Sequence, residues 1–352
     1  MNKANAIYLK TQSNPNSPGL EVPHSQFNKP PHLRSGRRKN MKKVFETILI
    51  ASTTATMTFL FIVAFSVTQT FAQGITVYNS IPSNLPGNVI SQPFQAQQAS
   101  EFGDRVQFSA GSGRNLLTVK QIMSSWGCES GAWYSGDCIT TPGATFSHPI
   151  TLNIYNVGTG STVGSLIGSV TQTFAIPYRP SADNVNCTGG RWYDGTNCYN
   201  GYATPITFNL GGLTVPNEVI YGIAFNTSNY GTAPIGPSAC SETAAGCGYD
   251  SLNVGLDGAT PPLVGVNPDP NDAYLNTLTA GWYCDLGAGG IGTFRRDSGC
   301  WTEYQPSVKF TAANAPTNAD QCKNGGWQVR TRPDGSLFKN QGDCVQYVNT
   351  KK

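Results

Sequence analysis

The chain has 352 residues, of which 39% are hydrophobic and 12% carry a charged side chain. Its formal net charge is +3, yet residues 73–352 hold 14 basic against 18 acidic side chains. This mild acidity argues against nucleic-acid binding, which needs a basic face.

The N-terminal part of the chain predicts export. Residues 1–40 are rich in Pro, Asn, Ser and Lys, and we expect them to be disordered or to precede a second start at Met41. Residues 41–72 have the charge pattern of a signal peptide or an uncleaved signal anchor, and Thr70-Phe-Ala72 fits a signal-peptidase site. Either alternative predicts a secreted or cell-surface protein that contacts the membrane only through this segment, if it is not cleaved.

Strand patterns dominate the chain after residue 73. Ile150, Leu152 and Ile154 alternate with polar residues, and the continuous apolar run 219–225 predicts a central strand covered on both faces. Further strands are predicted at 75–78, 105–110, 116–123, 170–176, 206–210, 252–256 and 307–310. These short strands, joined by turns rich in Gly and Pro, predict an all-β, jelly-roll-like β-sandwich over residues 73–310, with disulfide-stapled loops at its rim.

The ten cysteines fall into neighbouring pairs along the chain, which predicts local disulfides in an oxidising compartment. The pairs are Cys128 with Cys138, Cys187 with Cys198, Cys240 with Cys247, Cys284 with Cys300, and Cys322 with Cys344. Zinc is the alternative, but it is disfavoured because the chain has no C-x-x-C motif and one histidine after residue 72.

Two of the cysteine loops are near-copies that each carry a Trp-Tyr pair: Trp133-Tyr134 and Trp192-Tyr193. One interpretation is that these rings form outward platforms for a sugar or a protein partner. The alternative is that each Trp folds back over its own disulfide and plugs the end of the sandwich. The pattern favours the plug only slightly.

Other candidate sites are weaker. Asn267, Asp269 and Asp272 are weak candidates for calcium ligands in an oxygen-rich stretch that an ordinary turn explains better, and no other cofactor is predicted. His148 precedes a proline at an expected strand edge, and no G-x-S-x-G motif accompanies it. We therefore predict a protein that is not an enzyme.

The C-terminal region predicts a separate small unit. Residues 311–319 are expected to form a linker, and residues 320–352 a β-hairpin module closed by the last cysteine pair, with a turn at Pro333-Asp334-Gly335. Its basic residues either hold an anionic cell-wall polymer or only keep the module soluble. They are Lys323, Arg330, Arg332, Lys339, Lys351 and Lys352.

The tail sequence C-K-N-G-G-W (322–327) and F-K-N-Q-G-D-C-V (338–345) resembles a motif at the C-termini of uncharacterised exported bacterial proteins. The upstream sequences 101–106, 124–128 and 249–255 are similar to β-sandwich proteins that carry such a tail. The resemblance covers about residues 73–346 and implies bacterial origin, export and fold, with no activity, substrate or site.

The residues together favour an exported binding protein that holds a glycan, a cell-wall polymer or another surface ligand through its aromatic loops. A structural or assembly protein of the cell envelope is the first alternative, and an extracellular hydrolase is the second.

Overall fold

The computed structural model describes residues 74–110, 113–133, 135–226, 252–302 and 304–352. These residues form fourteen strands and one α-helix, α1 (Gln341–Thr350). The strands are β1 (Ile75–Asn79), β2 (Ser91–Pro93), β3 (Ala99–Gln107), β4 (Asn115–Ser125), β5 (Thr145–Val157), β6 (Val163–Pro177), β7 (Trp192–Tyr193), β8 (Cys198–Tyr199), β9 (Tyr202–Thr214), β10 (Glu218–Ala224), β11 (Leu252–Gly255), β12 (Asp272–Thr277), β13 (Arg295–Ser298) and β14 (Val308–Ala312). The predicted segments 1–40 and 41–72 lie outside the described residues, as do Tyr134 and the pair Cys240 and Cys247.

Two six-stranded antiparallel sheets make up most of this structure. In the first sheet, β9 pairs along one edge of β4, while β14 and β11 pair with successive parts of its other edge. β1 and β2 complete that sheet by pairing with β14 and β11. The second sheet has the order β13-β12-β3-β10-β5-β6. A separate two-stranded ribbon joins β7 to β8.

The inner faces of the two sheets pack against each other and form the main core. The ring centroids of Phe174 in the second sheet and Phe208 in the first are 5.0 Å apart. Those of Tyr221 in the second sheet and Phe310 in the first are 5.4 Å apart. Each large apolar side chain buried here stabilises the fold by about 1.5–3 kcal/mol. The all-β sandwich prediction is confirmed, and its jelly-roll connectivity stays a prediction.

The sequence pattern explains which strands form the centre. β5 buries Ile150, Leu152 and Ile154 in the main core. β10 lies between β3 and β5, and Val219 through Ile223 are buried on both of its faces, as the continuous apolar run predicts.

Four of the five predicted disulfides lie within the described residues and are present. They join Cys128 to Cys138, Cys187 to Cys198, Cys284 to Cys300, and Cys322 to Cys344, with Cα–Cα separations of 5.5 to 5.8 Å. These cysteines are therefore not thiolate ligands for zinc.

The C-terminal residues 320–352, here called the tail module, differ from the predicted hairpin. Its β-structure is one isolated bridge between Thr331 and Leu337, and the helix α1 follows it. The Asn340 side chain caps this helix by accepting a hydrogen bond of 2.9 Å from the Asp343 backbone N–H. A helix of this length is marginal in water by itself, so the burial of Cys344 and Tyr347 in the core of the module stabilises it.

The tail module has its own small core, separate from the main one. It consists of Cys322, Phe338, Cys344 and Tyr347, so the disulfide lies beside two aromatic rings. The Phe338 and Tyr347 centroids are 5.4 Å apart. Within the part of the chain that the structure describes, no helix combines the length and apolarity needed to span a bilayer.

Candidate functional site

The two near-identical cysteine loops form one continuous layer at the end of the sandwich. We call Cys128–Cys138 the first stapled loop, Cys187–Cys198 the second stapled loop, and residues 178–186 the connecting segment. The Ala182 backbone N–H donates to the Cys138 carbonyl at 2.9 Å, and the Asp183 N–H donates to the Arg191 carbonyl at 2.9 Å. The connecting segment therefore holds one loop on each side.

Arg179 of the connecting segment links the second stapled loop to the residue that precedes the first one. Its side chain is fully buried, and the Nη2 atom donates to the Gly190 carbonyl of the second stapled loop at 2.6 Å. Its backbone N–H donates to the Gly127 carbonyl, next to the first stapled loop, at 2.9 Å. Burial lowers the pKa of Arg179 to about 10, which leaves the guanidinium charged at neutral pH.

Glycine is required where the two stapled loops touch. A Cβ atom at Gly190 would lie 2.4 Å from the Cα atom of Gly136, and Gly190 also has a φ of +68°. Any larger residue there would push the two loops apart.

Trp192 packs inward, which matches the plug interpretation that the sequence pattern slightly favours and not the outward platform. Only 6% of the residue is exposed, and its Nε1–H donates to the Gly201 carbonyl at 2.7 Å. Its ring lies 5.2 Å from the Tyr199 ring and 5.7 Å from the Tyr202 ring. Gly87 also packs against this ring, because a Cβ atom added at Gly87 would lie only 2.7 Å from the indole. The ring is therefore covered from several sides.

Trp133 of the first stapled loop is half-buried rather than fully presented to solvent. Its ring meets the Trp126 ring edge-on, with a centroid distance of 4.7 Å. The Trp126 indole N–H in turn donates to the Ser124 hydroxyl at 2.9 Å at the end of β4. Trp133 thus covers the end of the first sheet. Its neighbour Tyr134 lies outside the described residues.

Among the predicted aromatic residues that the structure describes, Tyr193 faces outward. It is 37% exposed, and its hydroxyl donates to the Gly195 carbonyl at 2.7 Å, which orients the ring on the loop surface. In the β7–β8 ribbon, Trp192 and Tyr193 point to opposite faces because successive side chains of a strand alternate. One member of the pair therefore packs inward and the other faces solvent.

A cleft of about 650 Å³ lies beside Tyr193, and we call it the rim cleft. Aromatic and proline side chains line much of it, among them Tyr178, Tyr193, Tyr202, Pro142 and Pro180. The volume is within the range of about 300–1,000 Å³ that ligand sites usually have. Of the predicted aromatic residues, Tyr193 and the largely buried Trp192 line this cleft, whereas its other lining residues were not predicted from the sequence.

Hydrogen-bonding groups from the connecting segment also line the rim cleft. They include the Ser181 hydroxyl, the Asp183 carboxylate and the exposed Asn184 amide. Asp183 accepts from the Asn186 side-chain amide at 2.8 Å and from the Asn186 and Val185 backbone N–H groups, and the Asn186 bonds lower the pKa of Asp183. Asp183 is the one carboxylate in the described lining, whereas glycoside hydrolysis normally uses two. The arrangement therefore suits binding better than hydrolysis.

A signal for the missed lining residues was present in the sequence. The connecting segment follows β6 directly before the second stapled loop and contains Pro180 and several small polar residues. Such composition is typical of surface connections, which often carry binding residues. The segment contains no repeated motif, whereas the two stapled loops do. The predicted binding residues were therefore those of the stapled loops.

The weak calcium candidates lie elsewhere and are held by other partners. Asp269 accepts a hydrogen bond from Arg105 at 2.8 Å, and Asp272 accepts one from Arg296 at 2.6 Å. The Asn267 amide nitrogen donates to the buried Asp104 carboxylate at 2.9 Å. Both candidate carboxylates are thus compensated by guanidinium groups.

Cys284, Asp297 and Cys300 form the one group of possible metal ligands among the described residues. The two sulfur atoms are joined in a disulfide, so the group offers no thiolate to a metal ion.

His148 is a core residue, not the expected strand-edge residue. It is completely buried in β5, and its ring meets the Phe225 ring edge-on at 5.5 Å. Burial lowers the pKa of His148 to about 4, so the imidazole is neutral at physiological pH. It does not line the rim cleft.

No protein-family model, no curated protein and no solved structure matches this chain. The resemblance to exported bacterial sandwich proteins therefore stays a prediction.

Proposed function

We propose that this protein is an exported, non-enzymatic binding protein that holds a glycan in the rim cleft. The observation that carries the proposal is the pairing of aromatic walls with hydrogen-bonding groups around one cleft of about 650 Å³. Tyr193 and Tyr202 offer ring surface, the exposed Asn184 offers its amide oxygen, and the Ser181 hydroxyl, held by two hydrogen bonds to Thr140, offers a remaining acceptor lone pair. Sugar rings have apolar faces and hydroxyl edges. The aromatic side chains of the cleft would pack on the faces, and its polar groups would bond the hydroxyls.

The disulfides support the exported location. Cystines persist in oxidising environments, and one closes each stapled loop, including the second stapled loop, whose Trp192 and Tyr193 line the rim cleft. Cleavage of the segment 41–72 as a signal peptide, and a bacterial source, are part of the same proposal.

Binding can be tested with the variant Tyr193→Ala, because this side chain is exposed and its removal leaves the core intact. The wild type is first screened on a glycan array and on insoluble polysaccharides. An aromatic contact contributes about 0.5–1.5 kcal/mol, so the variant should bind the retained glycan about two- to tenfold more weakly. The affinity is measured by calorimetry or by affinity electrophoresis.

Two further variants sharpen this test. Tyr193→Phe keeps the ring and loses only the hydroxyl bond to Gly195, so it should bind like the wild type. Leu278→Ala removes an exposed apolar residue outside the rim cleft and should also have no effect. The proposal fails if the wild type retains no glycan, or if Tyr193→Ala binds as tightly as Tyr193→Phe.

A structural role in assembly of the cell envelope is the second candidate. The burial of Trp192 favours it, because the duplicated indole serves packing rather than contact. Absence of glycan binding together with specific retention on isolated envelopes would support this second candidate over the first.

A further inference from the structure

A second hollow lies on the outer face of the first sheet, and we call it the sheet-face groove. Its volume is about 440 Å³, and its floor is formed by side chains of β4, β9 and β14. Asp334 of the tail module lies at one end of it. None of its lining residues belongs to the rim cleft, so the two sites are separate.

The tail module closes one end of this groove by docking on the sheet. A register shift in β4 places Leu117 opposite no residue of β14. A Cβ at Gly335 would lie 2.7 Å from this Leu117 side chain, and a Cβ at Gly212 would lie 2.5 Å from the Pro333 carbonyl oxygen. The turn 333–335 therefore sits directly against the sheet.

Two lysines face each other across the floor of the groove. Lys120 of β4 and Lys309 of β14 are direct cross-strand partners, and both line the hollow. Like charges in this position are destabilising. Within the described residues, neither ammonium group has a carboxylate within 4.0 Å. The pair is therefore a concentrated positive charge that forms no ion pair with a carboxylate of the described residues.

Neutral hydrogen-bonding side chains surround the lysine pair. Thr207 is the cross-strand partner of Lys120 on β9, and Asn209 is the partner of Thr118. Thr118 also shares a hydroxyl–hydroxyl hydrogen bond with Thr311 of β14. The floor thus presents hydroxyl and amide groups beside two cations.

We infer that the sheet-face groove binds an acidic polysaccharide. The two ammonium groups would pair with carboxylates of the polymer, and Thr207 and Asn209 would bond its hydroxyls. Asp334 repels anions at the tail end, so the carboxylates lie over the lysine pair. This site does not depend on glycan binding in the rim cleft.

The test compares the wild type with the double variant Lys120→Gln plus Lys309→Gln on polygalacturonate, by affinity electrophoresis at low ionic strength. We expect the variant to lose at least about tenfold in affinity, and the wild-type affinity to fall with added salt. The variant should unfold at the same temperature as the wild type or a higher one, because the like-charge pair is gone. A loss of binding then cannot result from unfolding.

A matched control removes two positive charges of the tail module with Lys339→Gln plus Lys352→Gln, exposed residues outside the groove, and so also tests the alternative that the basic tail holds the polymer. This control should bind polygalacturonate like the wild type, as should Tyr193→Ala. The inference is overturned if the wild type does not bind polygalacturonate, or if the control loses as much affinity as the groove variant. If only Tyr193→Ala loses affinity for polygalacturonate, the polymer binds in the rim cleft and the inference is overturned.

Discussion

At the residue scale, a few buried ionisable groups decide how this sandwich responds to pH. Asp297 is 1% exposed and lies beside the Cys284–Cys300 disulfide. It accepts hydrogen bonds of 2.8 Å from the Trp301 indole N–H and from the Cys284 backbone N–H. These bonds favour the carboxylate, but desolvation is stronger and raises the pKa of Asp297 to about 6.

This raised pKa predicts a loss of stability as the solution is made less acidic. The native state keeps the Asp297 proton until about pH 6, whereas the unfolded chain releases it near 3.8. The contribution of this residue to the free energy of unfolding is therefore fully present below pH 3.8 and falls by about 3 kcal/mol as the pH rises through 6. Asp297→Asn lacks this titrating group. The difference in free energy of unfolding between the wild type and the variant should therefore fall as the pH rises from 3.8 to about 6.

Denaturant unfolding of both proteins at a series of pH values measures this effect. The control Asp320→Asn removes an exposed carboxylate whose pKa is lowered, mainly by Lys323, so its profile should follow the wild type above pH 3.8. A constant difference between wild type and Asp297→Asn from acid to neutral pH would contradict the prediction.

At the scale of elements, the two stapled loops share a sequence pattern but cover different partners. The second stapled loop seats Trp192 against the Gly201 carbonyl, while the first seats Trp133 edge-on against Trp126. Each disulfide closes a short loop, which stabilises a protein by about 2–4 kcal/mol.

Opening the second stapled loop should loosen Trp192 in particular. We expect Cys187→Ser plus Cys198→Ser to lower the free energy of unfolding by about 2–4 kcal/mol and to increase quenching of tryptophan fluorescence by iodide. The matched change, Cys128→Ser plus Cys138→Ser, should cost similar stability and change quenching less, because Trp133 is already half-buried. Unchanged quenching in the first variant would mean that the disulfide does not hold the indole in place.

An element was predictable from the sequence where it buries enough apolar residues to show a regular pattern. β5 and β10 bury enough apolar side chains to leave a clear pattern. β12 begins at Asp272, whose charge is paired with Arg296 on the neighbouring β13, so neither strand shows an apolar alternation. In α1 only Cys344 and Tyr347 are buried, and two positions do not establish a helical period.

At the scale of the whole molecule, the chain holds two hydrophobic cores of very different size. The sandwich core draws on both sheets, whereas the core of the tail module consists of the Cys322–Cys344 disulfide with Phe338 and Tyr347. So small a core needs its covalent staple to stay folded.

Removal of that staple should unfold the tail module and leave the sandwich intact. In Cys322→Ala plus Cys344→Ala, we expect brief trypsin treatment to cut at Lys323, Arg330 and Lys339 while a fragment with both sheets survives. Mass spectrometry of the digest measures this, with the wild type as control. Equal degradation of the sandwich fragment would mean that the two cores unfold together.

Features that depend on near neighbours along the chain could be read from the residues alone: the alternation of the strands and the cysteine pairs, of which four are present. Tertiary structure alone decided where the rings point and where the clefts lie. The Trp-Tyr pattern is compatible with either direction, and Trp192 turns inward because Gly201 and Gly87 receive it there. Both clefts combine side chains that are distant in sequence, such as Lys120 and Lys309, so only the sheet register brings them together.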